Sequence, residues 1–237
     1  MGGALLRSII EIPRKSLARV TGGLYLAFIL ALTLADTVGH VGVGDVDQAY
    51  DALAADPSQT AVGLTFAMLS AFLFVLAAWG LFVLLKPVNL ELALLFLLLN
   101  AIGVAIQMAS YVPVILAMLA TDTPLFAAAF SQPQVESLQR LSLDVQVHSF
   151  VTAQLFFATW LFPLGYLVYR SGFLPRLLGV LLILDGLAVF LWFLQGMLLP
   201  ENPELVIPGL ALSFIAEAGL GLWLLLKGVK DEQVAAA

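Results

Sequence analysis

The chain has 237 residues, of which 62% are hydrophobic and only 11% charged, and its mean hydropathy is +1.04. A soluble domain carries about 25% charged residues, so this composition excludes a water-coated surface and reads as an all-α polytopic membrane bundle. There is no cysteine, which excludes disulfides, thiolate nucleophiles and cysteine-ligated metals; the net charge is −6, but its distribution matters more than its sum.

Residues 1–16 place Leu5, Leu6, Ile9 and Ile10 on one side of a helix, with Arg7 and Glu11 elsewhere. That pattern predicts an interfacial segment lying on the membrane. Position 6 is Leu rather than Ser or Thr, so myristoylation is not indicated. Span 1 is expected over 17–38. A cleaved signal peptide is the rival reading, but the apolar run exceeds the roughly 7–15 residues of a signal core, which favours an uncleaved helix. The loop 39–59 has no Lys or Arg and carries Asp45, Asp47, Asp51 and Asp56. Val46, Tyr50 and Leu53 recur at helical spacing there and predict a short surface helix. Asp45 and Asp47 resemble the start of a calcium loop, but Ala49 and Tyr50 stand where that motif needs Asp or Asn and then Gly.

Span 2 is expected over 61–85 and span 3 over 92–120, both uncharged, with Pro113 kinking the latter. A loop over 121–141 follows, with a surface helix around 134–141. Span 4 covers 145–169 and contains Pro163. Spans 5 and 6 cover 177–200 and 205–226, joined by an acidic link over 201–204. Each run reaches the roughly 20 residues that cross about 30 Å of hydrocarbon. The domain organisation is then an N-terminal segment 1–16, a six-helix domain 17–229 and a tail 230–237.

Six spans collect Arg7, Arg14, Lys15, Arg19, Lys86, Arg170, Arg176, Lys227 and Lys230 at one set of ends; Arg140 stands at the other. Both termini are therefore expected in the cytoplasm and the acidic loops outside. Arg170 and Arg176 bracket S-G-F-L-P and are expected to anchor to anionic headgroups. Spans 2, 4 and 6 close alike, from Gly80, Gly165 and Gly221, which suggests three repeated hairpins, 1–2, 3–4 and 5–6.

Two acids sit deep in the last two spans, Asp185 and Glu217. An acid at the centre of a membrane helix costs about 2.5–3.5 kcal/mol on insertion scales, so such residues face a protein interior or a wet cavity. At about 1.5 Å rise per residue, Asp185 and Asn100 lie about 12 Å and Glu217 about 14 Å from the basic ends, one expected layer, with Gln107 and Gln154 in a second at about 22 Å. Two ionised carboxylates side by side would repel in a poorly solvated interior, so at neutral pH at least one is expected to hold a proton. Nearer the outer face, Asp36 and His40 form D-x-x-x-H, as do Asp144 and His148. An i, i+4 pair shares a helix face, and two such helices meeting would offer imidazole and carboxylate ligands to a metal; the plainer reading is polar helix ends at the water interface. Trp160, Phe190, Trp192, Phe193 and Trp223 are expected to pack or form an interface belt. No haem, flavin or nucleotide motif is present, so no cofactor is expected.

The segment G-Y-L-V-Y-R-S-G-F-L-P-R-L-L-G-V-L-L from Gly165, the ending A-E-A-G-L-G-L-W-L-L-L-K-G-V from Ala216 and the opening A-R-V-T-G-G-L-Y-L from Ala18 resemble the domain-of-unknown-function family numbered 4386. The resemblance implies a six-span protein of the bacterial plasma (inner) membrane and carries over no catalytic residue. The expected function is a carrier or binding protein for a small or lipidic molecule, with the buried acids as a cation or proton site. The alternatives are a membrane scaffold or stress-response partner without a ligand, and a membrane-embedded His/Asp enzyme. Membrane lipids are expected partners; nucleic acid is not.

Overall fold

The computed structural model describes residues 13–42, 44–122 and 128–229. Residues 1–12 of the expected interfacial segment and the tail 230–237 lie outside the described residues. The helices are α1 (Arg14–Gly39), α2 (Val46–Ala55), α3 (Pro57–Leu85), α4 (Leu90–Ser110), α5 (Val112–Asp122), α6 (Gln132–Arg170), α7 (Arg176–Leu198) and α8 (Ile207–Leu226), the last preceded by a 3₁₀ turn, Pro203–Val206. Six stretches are long and apolar enough to cross a membrane: α1, α3, α4 with α5, α6, α7, and α8 with its leading turn. Phe72 and Trp79 on α3, Leu98 on α4, Leu191 on α7 and Phe214 on α8 point outward and are exposed. So broad an apolar skin suits hydrocarbon, not water.

The spans close into a ring. Each packs on its neighbours in sequence, and α8 returns to α1. Backbones approach closely where a side chain would not fit. A Cβ on Gly179 would lie 2.6 Å from the Gly165 carbonyl oxygen, and one on Gly22 would lie 2.6 Å from that of Gly221. The first pair holds α6 to α7, the second α1 to α8, and both stand in the three segments that carry the family resemblance. These seams also correct the expected repeat. Gly80 meets Thr21 on α1, within its own hairpin, whereas Gly165 faces α7 and Gly221 faces α1, each across to another hairpin. Three equivalent hairpins would have put all three glycines on the same kind of seam.

Other boundaries shift for local reasons. Span 1 begins at Arg14, so the expected break at residue 16 falls inside a helix. Span 3 is interrupted at Tyr111: Pro113 has no N–H to continue the ladder, and the chain resumes as α5. The expected surface helix at 134–141 is not separate from span 4. A capping box of Ser131 and Gln134 starts α6, and it runs unbroken through Pro163 to Arg170. Its polar first turns are stabilised by packing. Gln139 Nε2 donates to Thr121 Oγ1 at 2.8 Å, and Gln146 Nε2 to the Gly42 carbonyl at 3.1 Å. The expected short helix is α2, capped by Asp45, which accepts from the Asp47 amide at 2.8 Å.

The two ends of the ring are built differently. At the end carrying Lys86, Arg170 and Lys227, the α6–α7 loop folds inward and buries Phe173 and Leu174 in the main core. Arg14 stacks on Phe173, 5.0 Å from the ring centre, and donates to the Leu84 carbonyl at 3.4 Å. At the acidic end, α2, α5 and the first turns of α6 enclose a second, smaller core around Leu53, Leu64, Tyr111, Val114 and Leu143. Arg140 ties this cap together: it pairs with Asp47 on α2 and Glu136 on α6, and lies 3.9 Å over the Tyr50 ring.

Candidate functional site

Within the ring, against the main core, lies a cavity of about 470 Å³. Its walls come from α1, α3, α4, α6, α7 and α8, and Gly42 and Gly44 stand at its outer rim. Phe28, Phe74, Phe157 and Trp160 form its inner part, where Phe74 stacks on Phe28 at 4.1 Å and meets Trp160 edge-on at 5.1 Å. Glu217 lines it at mid-helix in α8, and Asp36 lines it near the outer end of α1.

Asp185 stands directly behind this wall. It is fully buried on α7, and Ser213 Oγ on α8 donates to its Oδ1. Ser213 itself lines the cavity. The second carboxylate oxygen, Oδ2, has no partner in the protein. Asp185 and Glu217 are electrostatic neighbours, and the buried Tyr25 hydroxyl on α1 lies within reach of the same charges. A buried polar atom without a partner costs about 1–3 kcal/mol, so the packing around this cluster has to offset the unbonded Asp185 Oδ2.

The expected mid-membrane layer is therefore two-thirds assembled. Asp185 and Glu217 come together; Asn100 does not join them. It is buried on α4 with neither amide atom partnered, and it does not line the cavity. Gln107 and Gln154 both line the cavity wall. Gln107 Nε2 donates to the Tyr111 hydroxyl at 2.9 Å, and its Oε1 has no protein partner.

The two D-x-x-x-H pairs do not converge. Asp36 turns into the cavity rim, while His40 closes α1 in a left-handed conformation with its N–H on the Asp36 carbonyl. Asp144 and His148 sit on the outer face of α6, both about half exposed, with His148 Nδ1 3.4 Å from the Asp144 carboxylate and 3.0 Å from its carbonyl. They border a shallow surface depression with Thr152 and Met197. Among the described residues no group of three or more His, Asp and Glu side chains gathers to hold a metal.

Reading by residue type missed Ser213, Tyr25 and the aromatic walls. Ser213 is four residues before Glu217, hence on the same helix face. Tyr25 lies eight residues past Leu17, the same depth as Asp185 in its own span. Depth and helical phase together point to both. Trp160 and Trp192, expected only to pack or to mark an interface, line the cavity.

A protein-family model described as "Domain of unknown function (DUF4386)" matches residues 20–228. No curated protein and no solved structure matches the chain.

Proposed function

The chain belongs to the DUF4386 family, whose description names no activity, and from the geometry of its cavity we propose that this integral membrane protein is a carrier or binding protein for a small or lipidic molecule, with Asp185 and Glu217 as its cation or proton site. One observation carries the reading: a cavity of ligand size whose wall holds a mid-membrane carboxylate, with a second, incompletely bonded carboxylate behind it. Sites for small molecules are concave, mostly apolar and oriented by a few polar groups, at roughly 300–1,000 Å³. Acids kept inside a membrane bundle are costly and mark ligand or proton paths. A scaffold without a ligand accounts for Asp185 as a clasp between α7 and α8 but gives no account of the cavity. We propose in addition a bacterial plasma membrane, on the family resemblance, with the basic end in the cytoplasm and the cavity rim outside, on the asymmetry of basic residues.

The test is ligand-dependent stabilisation. Purified protein is screened for a rise in melting temperature with apolar and amphiphilic small molecules, alongside Glu217→Gln. A stabilising ligand whose effect shrinks in the variant supports the site. No stabilising ligand, together with a fixed protein partner that co-purifies with the chain, would favour the scaffold instead.

A further inference from the structure

Resting on the reading of the cavity as a ligand site, we propose its ligand class: a hydrophobic amine bound as the ammonium ion, with N–H donors on an apolar body. Charge is the first ground. Glu217 lines the cavity at mid-membrane and Asp36 lines its rim, and none of the described lining residues is Lys, Arg or His. A carboxyl in the wall supplies the counter-charge of an ammonium ion by ionising beside it; an anionic ligand would find no counter-charge here.

The walls are the second ground. Phe28, Phe74, Phe157 and Trp160 surround the inner cavity, with Phe150 and Trp192 further out. Aromatic faces attract cations, Trp most strongly, and more so away from water. They also remove apolar surface from water whatever the charge, so they suit a cation with a hydrophobic body and not a small hydrated metal ion.

Unsatisfied acceptors are the third ground, and they separate an ammonium with N–H groups from a quaternary one. Gln107 is 1% exposed, lines the cavity, holds Tyr111 with its amide nitrogen and leaves Oε1 without a partner. Asp185, fully buried behind Ser213, leaves Oδ2 without a partner. Buried acceptors call for donors. A trimethylammonium group brings charge but no donor; a protonated amine brings both.

The test uses the full chain in lipid nanodiscs at neutral pH and four probes on one skeleton: 4-phenylbutylamine, its N-trimethylammonium analogue, 4-phenylbutanol and 4-phenylbutyrate. Binding is read from thermal unfolding and from tryptophan emission, since Trp160 and Trp192 line the cavity; partition into lipid is subtracted with protein-free nanodiscs. The expected order is amine first, trimethylammonium second, alcohol third and carboxylate last. Glu217→Gln, nearly the same in shape, should weaken the amine about tenfold or more and leave the alcohol unchanged. The order in the wild-type protein is a test by itself if that variant folds poorly. Alcohol or carboxylate binding above the amine overturns the class while leaving a ligand site in place. Equal binding of the amine and trimethylammonium probes overturns the assignment of N–H donors. Silence from all four, with no change in emission, counts against this class and the ligand site together.

Discussion

The basic half and the acidic half of the bundle use similar residues for different ends. Helices meet backbone to backbone in both halves, at Gly22, Gly165, Gly179 and Gly221 in the basic one and at Gly39 and Gly63 in the acidic one, but in the basic half Phe173 and Leu174 also fold in to seal the centre. In the acidic half the centre stays open as the cavity, and α2, α5 and the start of α6 build a separate cap around the second core. Polar side chains follow the same division. Those of the cap are bonded to neighbours, as with Gln139, Arg140 and Gln146. Those at or beside the cavity, Gln107 and Asp185, keep an atom unbonded. Packing closes the basic centre, while the cavity wall keeps an unbonded Gln107 oxygen; the unbonded atoms of Asn100 and Thr60 lie away from the cavity.

The sharpest way to break this comparison is all-or-none. Single cysteines at Ser58, beside the cap, and Ser171, in the sealing loop, should label from opposite sides of the membrane, Ser171 from the cytoplasm. Labelling of both from one side would mean that the two halves are not the two faces of a six-span bundle.

Stability should separate the halves next. Gly179→Ala sets a methyl against the Gly165 carbonyl, where only backbone can give way, and overpacking of this kind costs about 1–3 kcal/mol. Leu32→Phe, at the cavity wall, should cost much less and reduce ligand binding instead. Melting temperatures of the two variants in detergent decide it; equal losses would mean that the cavity is as tightly packed as the seam.

Within the acid cluster, Asp185→Asn keeps an acceptor for Ser213 and should fold normally. Asp185→Leu leaves that hydroxyl unpaired and should cost about 1–3 kcal/mol. Full tolerance of the Leu variant in the same melting assay would show that Asp185 contributes nothing to the α7–α8 pairing. His148→Ala, on the outer face of α6, should leave both stability and metal content unchanged; elemental analysis showing metal in the wild type that the variant loses would restore the metal reading of that pair.

The smallest effect expected is at Asp56, which caps α3. Its carboxylate accepts from Ser58 Oγ at 2.6 Å and from the Ser58 amide at 3.0 Å, and these bonds hold its pKa below the usual carboxylate value. A depressed folded pKa gives stability that is present above the unfolded pKa and lost as pH falls through the folded one. Asp56→Ala should therefore lower the melting temperature slightly at neutral pH and flatten its decline in the acid range. An unchanged acid profile would show that the cap contributes nothing to stability.

Sequence by itself determined the class and span count, because crossing hydrocarbon demands about 20 apolar residues with every backbone group bonded within the segment. It also determined that α2 forms, from local periodicity, and the depths of Asp185, Glu217, Gln107 and Gln154, because helical rise is constant. Direction around the helix was another matter. Depth gave Asn100 the same layer as Asp185, yet only the ring decided that Asn100 stays off the cavity, and only packing turned Asp36 into the rim and left Asp144 and His148 on the outer surface. The equivalence of Gly80, Gly165 and Gly221 failed for the same reason: each glycine reports close contact, but which helix it touches follows from the order in which the ring closes. An all-round apolar helix shows how far into the membrane a residue lies. It carries little signal for which neighbour that residue meets, and the site depends on that.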